Sequence, residues 1–425
     1  MSILIKNGRV VDPANKRDGI FDLLIENNTI SKVAKGINIK AEEVIDAKDM
    51  IVSPGIIDMH AHLREPGRED AETVASGTLA ALAGGITSVC SMANTQPAID
   101  DIKVLKLYNE IIKKDAKANV FVIAAITKNR EGKEMVDMES IKKEGAVALS
   151  DDGNSIQDES VMLAALKKAK EKGILLISHC ENKDISGNGV INEGIVQTKL
   201  GLRGIPRKAE YEFVERDIKL AEIAGSRLHI AHVSLKESVD IIRKAKKRGV
   251  FVTAETAPHY FCLEDTCCSM YDTYTKMNPP LRTKEDAIAI KNALRDGTID
   301  VIASDHAPHG KDEKEIEFEH AAFGIIGLET MLAISITELI HTKILSWHEL
   351  INKISFNPSN ILGLKRGTLE EGSIADITII DPNKEWIFRR EDIKSKSKNT
   401  PFIDWRFKGR AVYTIVNGKL VYRQE

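Results

Sequence analysis

The chain has 425 residues, 43% hydrophobic and 29% charged, with a formal net charge of −3. This length suits a barrel enzyme with a small attached domain, and the near-neutral balance provides no polyanion-binding surface, so nucleic acid is not an expected partner. The start, Met1-Ser2-Ile3-Leu4-Ile5-Lys6, lacks the charged-then-apolar pattern of a leader and no apolar run is long enough to cross a bilayer, so the expectation is a cytoplasmic protein without membrane contact.

Residues 1–52 read as short strands, such as Ile3 to Ile5, Asp22 to Ile25 and Val44 to Ile45, divided by Asn-Gly and Asn-Asn turns. Beyond them, strand-like runs alternate with helical stretches such as Ser160 to Lys172 and Ser234 to Arg248, which implies a parallel sheet. The runs number eight: Gly55 to His60, Ile86 to Met92, Val120 to Ile126, Ala146 to Ser150, Ile174 to His179, Leu228 to His232, Val250 to Glu255 and Asp300 to Ser304. Eight β/α units predict a closed (β/α)8 TIM barrel with its working groups at the carboxyl ends of the strands. Ala375 to Asp381 and Val412 to Tyr422 are β-rich again. The two ends, residues 1–52 and 366–425, are therefore expected to pair as a small β-sandwich domain beside a catalytic barrel over 53–365. Lys394 to Lys398 reads as a polar, basic linker. The five cysteines, Cys90, Cys180, Cys262, Cys267 and Cys268, are odd in number and unpaired in spacing, as reduced thiols would be. Strand alternation turns Cys180 away from the face that His179 occupies.

The first run ends in His60-Ala61-His62, and side chains two apart on a strand share a face, so both imidazoles can reach one metal ion. Alone, such a pair also fits two polar residues at a strand end. His179 and His232 each close another apolar run, where a lone histidine is often a hydrogen-bonded core residue. Asp305 follows Val301-Ile302-Ala303-Ser304, and a carboxylate ending an apolar strand at the working face needs a cation or donors to offset its burial. Asp151 and Asp152 raise the same question after Ala146 to Ser150, with a helix cap or turn as the plain alternative. Four nitrogens and two carboxylates exceed what one tetrahedral zinc requires and suit two ions sharing a bridge, or one ion beside a vacant position. Zinc is the first choice, although the same donors accept manganese, cobalt or iron.

Around these residues stand Val52-Ser53-Pro54-Gly55, Ser150-Asp151-Asp152-Gly153, Gly201-Leu202-Arg203-Gly204-Ile205-Pro206, Tyr274-Thr275-Lys276-Met277-Asn278-Pro279-Pro280-Leu281-Arg282, Ser304-Asp305-His306-Ala307-Pro308-His309 and Phe323-Gly324-Ile325-Ile326-Gly327-Leu328-Glu329-Thr330. Together they resemble the amidohydrolase superfamily and, within it, the dihydroorotases of the bacterial and archaeal type with an aspartate-bridged metal centre. The resemblance implies that His60, His62 and Asp305 hold one zinc ion, that His179 and His232 hold a second, and that Asp152 bridges them. It also makes Asp305 the proton shuttle. Many superfamily relatives bridge with a carboxylated lysine at this strand end. Here Lys142 and Lys143 precede the strand, so the pattern fits hydantoinases and allantoinases less well.

The implied reaction is the reversible hydrolysis of (S)-dihydroorotate to N-carbamoyl-L-aspartate, the third step of de novo pyrimidine biosynthesis. Its small-molecule substrate carries a carboxylate, which Arg64 can grip bidentately, although position alone fits a bland exposed arginine equally. The resemblance adds Asn94, Asn278 and His309 around the substrate, with backbone groups of Phe323 and Gly324 closing the far side. Asn278 before Pro279-Pro280 also suits a plain turn. Met92-Ala93-Asn94-Thr95 departs from the family's Met-Pro-Asn-Thr, and loss of the proline loosens that loop. Some relatives form homodimers or complexes with aspartate transcarbamoylase, and others are non-catalytic partner proteins that have lost ligands; all six ligands stand here. The charged stretch Lys311 to His320 reads either as a mobile flap or as a solvated loop.

Overall fold

Continuously apolar runs in the middle of the chain can face water on neither side, which selects strands covered by helices. The computed structural model describes residues 2–424; Met1 and Glu425, the outermost residues of the expected small domain, lie outside the described residues. Strands β1 (Ile56–Ala61), β2 (Ile86–Ser91), β3 (Asn119–Ala124), β4 (Ala148–Leu149), β5 (Leu175–Ser178), β6 (Leu228–Ile230), β7 (Val252–Thr256) and β8 (Val301–Ile302) form one sheet in sequential order. Every neighbouring pair is parallel. All eight expected runs are strands, though β4 and β8 keep only 2 residues each. Past those points the ladder continues as single bonds, Ser150 N to Ala124 O (2.8 Å) and Ala303 N to Thr256 O (3.0 Å), while the chain turns out into loops.

The barrel closes between β1 and the segment after β8. Ala61 bridges to His306, and His62 N donates to His306 O at 2.8 Å. Lower on the seam a side chain substitutes for the ladder: the Asp58 carboxylate accepts from Ser304 N (2.9 Å) and from Ser304 Oγ. Asp58 is fully buried, and that burial pushes its carboxyl up to about 6.

Helices α1 (Val74–Ala83), α2 (Ile102–Asp115), α3 (Met138–Lys143), α4 (Glu159–Lys172), α5 (Lys208–Ala224), α6 (Lys236–Lys247) and α7 (Lys284–Asp296) follow β1 to β7 in turn. Their ends follow from local chemistry. Thr73 and Thr283 form reciprocal caps with Ser76 and Asp286, Asp101 and Asp158 accept first-turn amides, and α4, α5 and α7 stop at the left-handed Gly173, Gly225 and Gly297.

The two ends of the chain form a single hydrogen-bonded sheet of eight strands around one apolar core that includes Ile3, Ile25, Val52, Ile377 and Ile415. The link is Ile51–Pro54, parallel to Arg9–Val10 on one side and antiparallel to Ile377–Ile380 on the other. From Pro54 the chain passes straight into β1 through Gly55, and a Cβ there would lie 2.2 Å from Thr87 Oγ1 and 2.9 Å from Asp376 Cβ, both on buried residues. Gly55→Ala is therefore expected to cost about 1–3 kcal/mol by overpacking, read as a Tm lower by a few degrees; an unchanged Tm would show that this passage has slack.

Candidate metal centre and active site

Alternation along the strands stacks polar ends over an apolar floor. Ile177 precedes His179 by two residues, Ala148 precedes Asp152 by four, and Ala303 precedes Asp305 by two; all three apolar residues belong to one buried cluster closed by Ile361 and Leu362. Cys180, out of phase, lies instead beside Ser178 Oγ (3.5 Å) and Asp217 on α5 (3.7 Å). All five cysteines are free thiols.

Four ring nitrogens converge on Asp152. Its Oδ1 is 3.4 Å from His60 Nε2, 3.4 Å from His232 Nε2 and 3.7 Å from His179 Nδ1, and its Oδ2 is 3.5 Å from His62 Nε2. Asp305 Oδ1 is 3.5 Å from both His60 Nε2 and His62 Nε2. Two sets of donors result, His60, His62 and Asp152, and Asp152, His179 and His232, each with its ligand atoms within 4.8 Å of one another. The neighbouring Asp151 is turned away, accepting from Ile126 N (2.8 Å), Thr127 N (3.0 Å) and Thr127 Oγ1 (2.5 Å).

Acceptors behind three of the rings fix which nitrogen faces Asp152. Glu255 Oε1 accepts from His60 Nδ1 (2.6 Å), Asn94 Oδ1 from His62 Nδ1 (2.7 Å) and Glu181 Oε2 from His179 Nε2 (3.2 Å). The lone pairs of His60 Nε2, His62 Nε2 and His179 Nδ1 are thereby directed inward. Among the described residues, His60 Nε2 and Asp152 Oδ1 are buried without a hydrogen-bond partner. Imidazole and carboxylate donors aimed at one point with unmet bonding capacity fit a divalent metal.

The electrostatics agree. Burial would raise the Asp152 carboxyl, but the His60 charge and the close His179 and His232 rings outweigh it and hold it well below the ordinary range. Asp305 is lowered in the same way, against its burial, by His60, His62 and His232. Conversely, burial would lower His60, yet Asp152, Asp305 and Glu255 raise it well above the usual imidazole value; His179 rises against burial to about 9 beside Asp152 and Glu181. The site demands positive charge at its centre.

A pocket of about 320 Å³ opens above these ligands. Its lining includes every residue expected at the site except His60, which lies beneath it. The Arg64 guanidinium is held by Pro308 O at 3.1 Å and by His309 Nε2 at 3.3 Å. Burial brings it down to about 10, still charged at neutral pH. Asn278 Nδ2 donates to Glu181 Oε2 at 3.0 Å. Although the loop of Asn94 lacks the family's proline, its carbonyl is anchored on His62. Gly324 contributes chiefly space: its N–H donates to Lys276 O (2.9 Å), its carbonyl accepts from Lys314 Nζ and Asn399 Nδ2 (both 3.1 Å), and a Cβ would lie 2.5 Å from Ala307 Cβ. In the stretch Lys311 to His320, Lys314 and Phe318 are buried under the pocket wall while most of the other side chains are exposed.

Glu255, Glu181 and Asn399 were not singled out from the sequence. Glu255 carried a readable signal, a carboxylate closing an apolar run; Glu181 lies two residues from His179; Asn399, just past the stretch read as a linker, carried none.

Comparison with known proteins places these features. A Dihydro-orotase-like family model matches residues 49–238 and an Amidohydrolase family model matches residues 240–422. A dihydroorotase of Elusimicrobium minutum (strain Pei191) is 52% identical over 420 residues, covering 99% of this chain and 97% of its own, and one of Geobacter metallireducens is 50% identical over the whole of both chains. Among solved structures, the L-hydantoinase (dihydropyrimidinase) from Arthrobacter aurescens shares the fold with a TM-score of 0.90 at 23% identity, covering 99% of this chain and 96% of that one. A D-hydantoinase structure has a TM-score of 0.88 at 26% identity, over 100% and 95% of the two chains. The chain thus belongs to the dihydroorotases, a family of metal-dependent cyclic amidohydrolases.

Proposed function

We propose that His60, His62 and Asp305 hold one zinc position and His179 and His232 a second, with Asp152 between them, and that this centre opens and closes the ring of (S)-dihydroorotate. The observation that carries the assignment is the buried, partnerless pair His60 Nε2 and Asp152 Oδ1, 3.4 Å apart, toward which the other ring nitrogens turn. When bound, the metal lowers the pKa of a water toward about 7 and polarises the substrate carbonyl.

The remaining work falls to the chain. Arg64, held in place by Pro308 and His309, reads the ring carboxylate through its planar guanidinium. Asn94 and Asn278 line the pocket where the ring would sit, and Phe323 and Gly324 bound its far side. Asp305 takes the proton of the attacking water and delivers it to the ring nitrogen as the C–O bond forms and the C–N bond breaks. Read backwards, the same steps close the ring, the direction of pyrimidine synthesis. A homodimer and association with aspartate transcarbamoylase belong to the same proposal and are supported by the family resemblance alone; cytoplasmic location is proposed with them, and among the described residues no helix is long and apolar enough to cross a membrane.

Asp305→Asn is expected to lower kcat for dihydroorotate at least about 100-fold; activity within about tenfold of the parent, under about 1.4 kcal/mol of barrier, removes Asp305 from the proton path. Arg64→Met should raise KM far more than it lowers kcat, and the parent should prefer dihydroorotate to unsubstituted hydantoin; the opposite preference would favour a hydantoinase reading. Glu255→Gln should weaken metal binding by about 10–100-fold, measured by chelator competition. Unaltered affinity would show that His60 does not need Glu255 to present Nε2.

A further inference from the structure

One wall of the pocket includes two loops, residues 306–309 and 322–326, which meet at the bridge of His306 to Ile325, where Ala307 N donates to Ile325 O at 2.8 Å. Asn399, 2% exposed, stands behind both. Its Nδ2 donates to Ala307 O (3.0 Å) and Gly324 O (3.1 Å), its Oδ1 accepts from His309 N (3.2 Å), and its own carbonyl accepts from Ile326 N (2.9 Å). One residue thus ties the backbone that carries His309, and through it the Arg64 guanidinium, to the backbone that carries Phe323 and Gly324.

The segment bearing Asn399 is fastened at alternate residues. Ser397 Oγ donates to Ala71 O (2.7 Å), Ser395 Oγ to the buried Glu72 carboxylate, and Lys396 N to Glu72 Oε1 (3.1 Å). Glu72 in turn lies 3.3 Å from His306 Nε2. Residues 395, 397 and 399 therefore place their side chains on the barrel, as alternation along an extended strap allows.

We infer that Asn399 is a positioning residue for substrate: it sets the spacing between the Arg64–His309 side and the Phe323–Gly324 side of the pocket without touching the metal ligands. This rests on the dihydroorotase site assigned above. An uncharged amide is required, because two of its bonds are donated to carbonyls and one is accepted from an N–H. Aspartate, of the same size, would set a carboxylate against both carbonyls.

The test compares Asn399→Ala, Asn399→Asp and, as a strap control, Ser397→Ala, with kcat, KM, bound metal and Tm measured for each. Expected in both Asn399 variants is a KM for dihydroorotate at least tenfold higher, with kcat within about threefold and metal content unchanged; Ser397→Ala should lower Tm but leave KM within twofold. A parent-like KM in either folded Asn399 variant, a loss confined to kcat, or failure of both to fold, which would make Asn399 a scaffold residue only, overturns the inference. The parent is assayed first, so absence of dihydroorotate turnover counts against the functional reading and a parent-like KM in the variants counts against Asn399.

Discussion

Negative charge gathered around four imidazoles is the constraint on which the site depends. Asp152 is buried, Asp305 nearly so, and Glu255 and Glu181 stand directly behind the rings. Burying an ion without compensation costs several kcal/mol even after relaxation. Protonating the imidazoles offers partial relief, and the raised His60 and His179 show that tendency. Protonated rings would also repel one another, since His179 Nδ1 and His232 Nε2 are only 2.7 Å apart. A divalent metal centre would answer these donors and leave the rings neutral, with the outer N–H of His60, His62 and His179 on acceptors already in place.

The barrel is what makes this convergence affordable in geometry. Parallel strands deliver residues from distant parts of the chain to one end of one core, and the alternation that buries Ala148, Ile177 and Ala303 carries Asp152, His179 and Asp305 into the opening above. Where alternation alone does not aim a side chain, the backbone bends. Arg64, His232 and Asp305 adopt positive φ values of 61°, 35° and 49°, a region that costs a non-glycine residue about 1–3 kcal/mol. Asp305 is held there from both sides, by the Ser304–Asp58 seam before it and the His306–Ala61 bridge after it.

The sequence made legible whatever depends on strand periodicity. Each ligand closes or follows an apolar run, so both the barrel and its ligand set could be read from polar residues at strand ends. Choosing between Asp151 and Asp152 needed more. Both end the same run, so Asp152 was preferred on the family motif; in space the Ile126 and Thr127 amides after β3 engage Asp151, while Asp152 meets the imidazoles. The role of Gly324 was similarly hidden, because occupation of its backbone groups by Lys276, Lys314 and Asn399 is set by contacts between residues tens of positions apart. A polar strap has no periodic signature, and Lys394 to Lys398 looked like a linker for that reason.

Hydantoinase structures superpose on nearly the entire chain at roughly a quarter identity. Identical architecture around differently named enzymes means that the barrel frame by itself does not choose the substrate. The half of the pocket that gathers the His and Asp donors lies at and just beyond the strand ends. The opposite half is loop, shaped by Arg64, His309, Phe323 and Gly324 and braced by residues far along the chain. Under the proposed reading, selection between a ring bearing a carboxylate and one without it acts on this half of the pocket, which Asn399 and Lys314 brace from behind.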